Sequence, residues 1–110
     1  MKKFIAIYNA PAEVLAQMEN ATPEQKAAGM EPWMAWKAQH DANIVDFGAP
    51  LTPGQNVNQE GNWNGSGTQV SGYSIVQGES LESVKGMFTN HPHISWAAGC
   101  SIDIHECVSM

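Results

Sequence analysis

The sequence predicts an α+β fold in the order β-α-β-β-α-β, a ferredoxin-like unit with a four-stranded antiparallel sheet and its helices on one face. Three observations predict it. Short segments rich in Ile, Val, Phe and Tyr alternate with helix-forming stretches in that order. A capping box at Thr22-Pro23-Glu24-Gln25 and a cap at Ser80 mark where helices begin. In the last apolar segment Ile102 and Ile104 alternate with Ser101, Asp103, His105 and Cys107, so only one of its faces is made for a core.

Lys3 to Tyr8 reads as the first strand, with Ile5 and Ile7 on one face and Phe4, Ala6 and Tyr8 on the other. A strand apolar on both faces wants cover on both sides. Two lysines ahead of this apolar run imitate a secretory signal, but the run is short of the ~7–15 residues such a segment needs. Pro11 to Glu19 is rich in helix formers, with proline in the first turn, where it is tolerated. The helix starting at Thr22 is expected to break at Gly29-Met30-Glu31-Pro32, Pro32 opening a new segment that reaches Ala42.

Ile44 to Ala49 is the second strand, closed by Pro50. Leu51 to Thr68, with Gly54, Gly61, Gly65, Gly67 and a lone Trp63, reads as a long polar loop. Gln69 to Gln77 is the third strand. The helix after Ser80 carries Leu81, Val84, Met87 and Phe88 on one face and ends at Asn90 and Pro92. His91 and His93 then fall in an exposed loop. Ser101 to Val108 is the last strand, Val108 sharing the apolar face with Ile102 and Ile104, and Glu106 interrupting it.

At 110 residues the chain is expected to form a single domain, residues 1–110. Hydrophobic residues at 43% and charged residues at 15% suit a soluble globular protein. Five basic residues, all lysine, against eleven acidic ones give a net charge of −6. That balance excludes a phosphate-tracking basic face, so no nucleic-acid partner is expected. No stretch approaches the ~18 apolar residues of a membrane span.

Along a strand, Cys100 and Cys107 lie ~23 Å apart, beyond the ~7 Å a disulfide bridges. Free thiols point to the cytoplasm. No phosphate loop, dinucleotide fingerprint or Ser-His-Asp order is present, so no cofactor is expected. His91-Pro92-His93 and His105-Glu106-Cys107 supply metal-ligand residue types, but no spacing marks the third or fourth ligand, and no metal is expected.

Four stretches carry a likeness to a known family: Met30-Glu31-Pro32-Trp33-Met34-Ala35-Trp36, Ile44-Val45-Asp46-Phe47-Gly48-Ala49-Pro50-Leu51, Ser71-Gly72-Tyr73-Ser74-Ile75-Val76 and Gly99-Cys100-Ser101-Ile102-Asp103-Ile104. In that order they make the chain resemble small bacterial proteins of the YCII-related group, within the dimeric α+β barrel superfamily. The resemblance implies a ferredoxin-like fold that dimerises sheet to sheet, and a bacterial source. It also implies an acid/base pair, a His in the first long helix and an Asp beside the sheet. The helix position falls near Glu31 to Trp33, none of them His, and Asp46-Phe47-Gly48-Ala49-Pro50 only loosely echoes the Asp-Gly-Pro-aromatic signature of a sister group.

His40 and Asp46 are the nearest substitute for that pair, since a carboxylate can tune an imidazole as a general base. His40 at a helix end is equally served by the helix dipole. Trp33, Trp36 and His40 share one helix face at i, i+3 and i+7, either an aromatic wall against a ligand or the stripe that packs on the sheet. Lys37 and Asp41 read as an exposed ion pair.

Two helical layers cover one sheet face, yet the first strand is apolar on both. Leaving the second face wet forfeits ~25 cal/mol per Å². A homodimer with facing sheets is therefore expected, with Tyr73, Asp103 and His105 around an enclosed cavity. The function expected is binding of a small molecule there. One alternative is a cofactor-free enzyme of isomerase, lyase or dehalogenase type, using His40, His105, Asp46 or Asp103 as acid and base. The other is a structural interaction module.

Overall fold

In the computed structural model, which describes Met1–Met110, the chain forms β1 (Lys2–Asn9), α1 (Ala12–Glu19), α2 (Pro23–Gln39), a 3-10 turn (Asp41–Asn43) and β2 (Ile44–Pro50). A small hairpin of β3 (Gln55–Val57) and β4 (Trp63–Gly65) follows, then β5 (Val70–Gly78), α3 (Leu81–Phe88), α4 (Pro92–Trp96) and β6 (Ser101–Cys107). The main sheet has the order β2-β5-β1-β6, and every pair in it is antiparallel. This is the ferredoxin-like arrangement the segment order predicts.

Phe4, Ala6 and Tyr8 of β1 and Val76 of β5 are buried with Trp36 of α2 and Val84, Met87 and Phe88 of α3. Ile44, Phe47, Ile102 and Ile104 pack against this cluster. The register sets Ala6 opposite Ile104 and Tyr8 opposite Ile102, so the apolar half of β6 lies under the helices. Both caps form. Thr22 accepts from the Gln25 N–H while the Gln25 side chain takes the Thr22 N–H, and Ser80 and Ser83 exchange the same two bonds.

Five local expectations are corrected. Helix α2 runs unbroken through Pro32. The proline forfeits one N–H bond, and residues 23–32 are exposed, so water takes the freed carbonyl. The 51–68 segment is a hairpin with Val57 opposite Trp63 rather than an unstructured loop. Val108 lies beyond the end of β6 and is 72% exposed. The fourth concerns the segment after α3. His91 caps α4 and His93 lies in its first turn, and both are buried, at 1% and 2% exposure. Lys37 makes no ion pair with Asp41; its ammonium sits 5.6 Å over the Phe47 ring.

The molecule is flat, 42 × 39 × 21 Å, with a radius of gyration of 15.2 Å. A compact chain of this length has ~13 Å. The excess comes from the hairpin and the first half of α2, which project from the sheet with nearly every residue exposed.

Candidate functional site on the open sheet face

Residues opposite one another in an antiparallel register share a face, and those opposite alternate core positions make the uncovered one. Tyr73, Ile7 and Asp103 form one row across β5, β1 and β6, and Ile75, Ile5 and His105 form the next. Asp46 of β2 pairs with Ile75. Ile5, Ile7, Tyr73 and Ile75 are half-buried within the single chain, while Asp46, Asp103 and His105 are exposed. The face is an apolar floor with ionisable groups on both sides.

Two of those groups are held. The Asn9 amide donates to Asp103 Oδ2 at 2.8 Å. The Tyr73 hydroxyl donates to Asp46 Oδ2 at 3.3 Å, and the Gly48 N–H donates to Asp46 Oδ1 at 2.8 Å. A bulge makes this possible. Between Asp46 and Ala49 the register slips, so Phe47 and Gly48 together oppose Ser74. Gly48 has φ +84°, and a Cβ there would lie 1.7 Å from the Tyr73 carbonyl oxygen. Only glycine lets β2 turn Asp46 toward Tyr73 while keeping contact with β5.

The structure does not join His40 to Asp46. His40 caps the C-terminus of α2 and lines a shallow cleft of about 350 Å³ with Asn43, Gln77, Glu79 and Ser83, whereas Asp46 is engaged by Gly48 and Tyr73. Trp33 and Trp36 lie on the helix side of the sheet, away from Tyr73, Asp103 and His105. Trp36 is 5% exposed and its indole N–H donates to the Met87 carbonyl at 2.7 Å. Trp33 packs edge-on against Tyr8 at 4.9 Å. Both act as packing, and the sheet separates them from the open face.

Beneath them lies a cluster that sequence reasoning missed. The Ser74 hydroxyl donates to the Phe47 carbonyl at 2.7 Å, so in the 2.8 Å contact between Tyr8 and Ser74 the phenol is the donor. Burial pushes the Tyr8 pKa up to about 12. His91 is stacked between Tyr8 and Phe88, with ring centroids at 5.3 and 5.5 Å. Pro92 was the available signal, because proline at the first helical position marks a new helix whose preceding residue is its cap.

Fold and face together define the class: a ferredoxin-like α+β protein whose sheet has one face uncovered and chemically mixed. No protein-family model matches the chain, and no curated protein matches it. Among solved structures the chain is similar to the 5-chloro-2-hydroxyhydroquinone dehydrochlorinase of Burkholderia phenoliruptrix, in complex with 2,5-dihydroxybenzoquinone. The two are 19% identical over 94% of this chain and 91% of that one, with a TM-score of 0.48. No helix of the chain is long and apolar enough to cross a membrane.

Proposed function

We propose that the chain is a YCII-related protein that binds a small molecule in a cavity between the open sheet faces of two copies. The observation that carries this is the open face itself, where Ile5, Ile7 and Ile75 are flanked by Tyr73–Asp46 on one side and by Asp103 and His105 on the other. An apolar floor with two carboxylate acceptors and an imidazole fits a small apolar molecule bearing hydroxyl or amine donors.

The half-buried Ile5, Ile7, Tyr73 and Ile75 support a second copy as the cover, because leaving them wet forfeits ~25 cal/mol per Å² of apolar area. Free Cys100 and Cys107 fit a reducing compartment, which makes the cytoplasm the proposed location.

Sedimentation at micromolar concentration is expected to give about twice the mass of one chain. Ile75→Asp should give a folded monomer, because Ile75 is half-exposed in the single chain and tolerates a charge only there. A wild-type monomer would sink the cavity. A ligand-observed NMR screen of small hydroxylated aromatics and amines against the wild type should yield binders that shift the His105 and Tyr73 resonances and are lost in Ile75→Asp. Binders that leave both residues unmoved would place the site elsewhere.

A second reading is a cofactor-free acid/base enzyme. It is favoured by Asp103 and His105 sharing one face of β6, across the apolar floor from a carboxylate bonded to a phenol. Conversion of a bound compound that stops in both Asp103→Asn and His105→Gln would select it over binding alone.

A further inference from the structure

We propose that α4 is a proton-operated latch: neutral His91 and His93 lock it into the helix layer, and protonation of His91 releases it together with its hold on Asn9 and Asp103.

Helix α4 has five residues, too few to be stable alone. Ile94, Ser95 and Trp96 are exposed, so the two imidazoles at its start are its buried anchors. His91 caps the helix through its ring, Nδ1 accepting the His93 N–H at 3.0 Å. That nitrogen therefore carries no proton, and neutral His91 holds its proton on Nε2. Nε2 is buried and has no hydrogen-bond partner.

Around the ring stand aromatic faces and edges: Tyr8 from β1, Trp33 and Trp36 from α2 at 4.7 and 4.6 Å, and Phe88 from α3. The titratable groups facing His91 are Tyr8, His93 and, from the end of α2, His40; α3 presents none. No carboxylate acts on it.

A second proton on His91 has to go to Nδ1. It displaces the His93 N–H and leaves a cation without an anionic partner at the start of a helix, where positive charge is disfavoured. Burial accordingly pulls His91 down from 6.5 to about 4, with His93 and then His40 adding to the effect. Burial lowers His93 as well, but the carbonyls of Asn9 and Ser101 oppose the shift. His91 is thus the trigger.

The sign follows from linkage. Between about pH 6.5 and about 4 a released His91 takes up a proton that the docked ring refuses. Docking of α4 is therefore at full strength above that window and is lost as pH falls through it.

The latch reaches the other face through one residue. His93 Nε2–H donates to the Asn9 carbonyl at 2.7 Å, and the Asn9 side chain donates to Asp103 Oδ2 at 2.8 Å. His93 is in this sense a positioning residue for Asp103. Only this consequence rests on the open face being the ligand site; the latch does not.

Tryptophan fluorescence and amide exchange, corrected for its intrinsic pH dependence, test the latch on the full chain without any ligand. On acidification the wild type should show a fluorescence step centred below pH 6.5. In the same step α4, Asn9 and Asp103 should lose protection while the β1–β5 ladder from Lys3 to Ile7 keeps it. His91→Phe keeps the stacked ring without a titrating nitrogen, and His91→Asn keeps the cap acceptor without the ring. Both should abolish the step, whereas His40→Gln and His105→Gln should retain it. A step that survives in both His91 variants overturns the latch. So does a His91 ring that titrates at or above 6.5 with α4 still protected, because the aromatic cage would then be holding the imidazolium. Opening of α4 with Asn9 and Asp103 unmoved overturns the link to the open face, whatever that face binds.

Discussion

Gly48→Ala is expected to destabilise the protein by about 3–5 kcal/mol. Three costs add up. An L-residue held at φ +84° is in the left-handed region, which costs ~1–2 kcal/mol. The new Cβ would lie 1.7 Å from the Tyr73 carbonyl oxygen and 2.7 Å from its carbon, both backbone atoms that no rotamer change can move. Relief requires β2 to peel from β5, with ladder bonds lost at ~1 kcal/mol each.

The same movement frees Asp46 from the Gly48 N–H and from Tyr73, so the open face should lose its carboxylate–phenol pair along with stability. Urea unfolding reads this as a lower midpoint at an unchanged slope. Gly29→Ala is the control of opposite sign. Gly29 lies in the exposed half of α2 with nothing within 4 Å of an added Cβ, so alanine there should stabilise by ~1 kcal/mol. A Gly48→Ala protein as stable as the wild type would remove the bulge from the account of how Asp46 is placed.

Trp36→Ala should cost about 4 kcal/mol. Trp36 is the one buried residue of α2 and, with half-buried Trp33 against Tyr8, ties the 17-residue helix into the core. Truncation opens a large cavity among Phe47, Phe88 and His91 and leaves the Met87 carbonyl without its donor. Trp36→Phe separates the two contributions, since it keeps most of the ring and loses the N–H; ~1–2 kcal/mol is expected. Thermal and urea unfolding of the pair check this. A Trp36→Ala protein of wild-type stability that has lost ligand binding would return Trp36 to the role of a ligand wall.

Periodicity, caps and turn residues act over a few residues, and so the four main strands, both capped helices and their order were legible from the chain alone. The two-faced apolarity of Lys3 to Tyr8 and the alternation in Ser101 to Cys107 were equally local. The alternation put Asp103 and His105 on the face away from the helices, but which half of Lys3 to Tyr8 enters the core was left to the structure, which buries Phe4, Ala6 and Tyr8. What the sequence could not decide was which chemistry meets which. His40 and Asp46 are close in the chain, but a helix end and an edge strand carry them to different partners. His91 and His93 look like loop residues because nothing local tells a solvated imidazole from one stacked under Tyr8, a partner more than eighty positions away. The bulge at Gly48 has the same character: the reason for glycine there is the Tyr73 carbonyl on another strand. Local rules set the elements of this protein, and long-range packing alone chose which of its polar groups stayed dry, which stayed on the open face, and which of them touch.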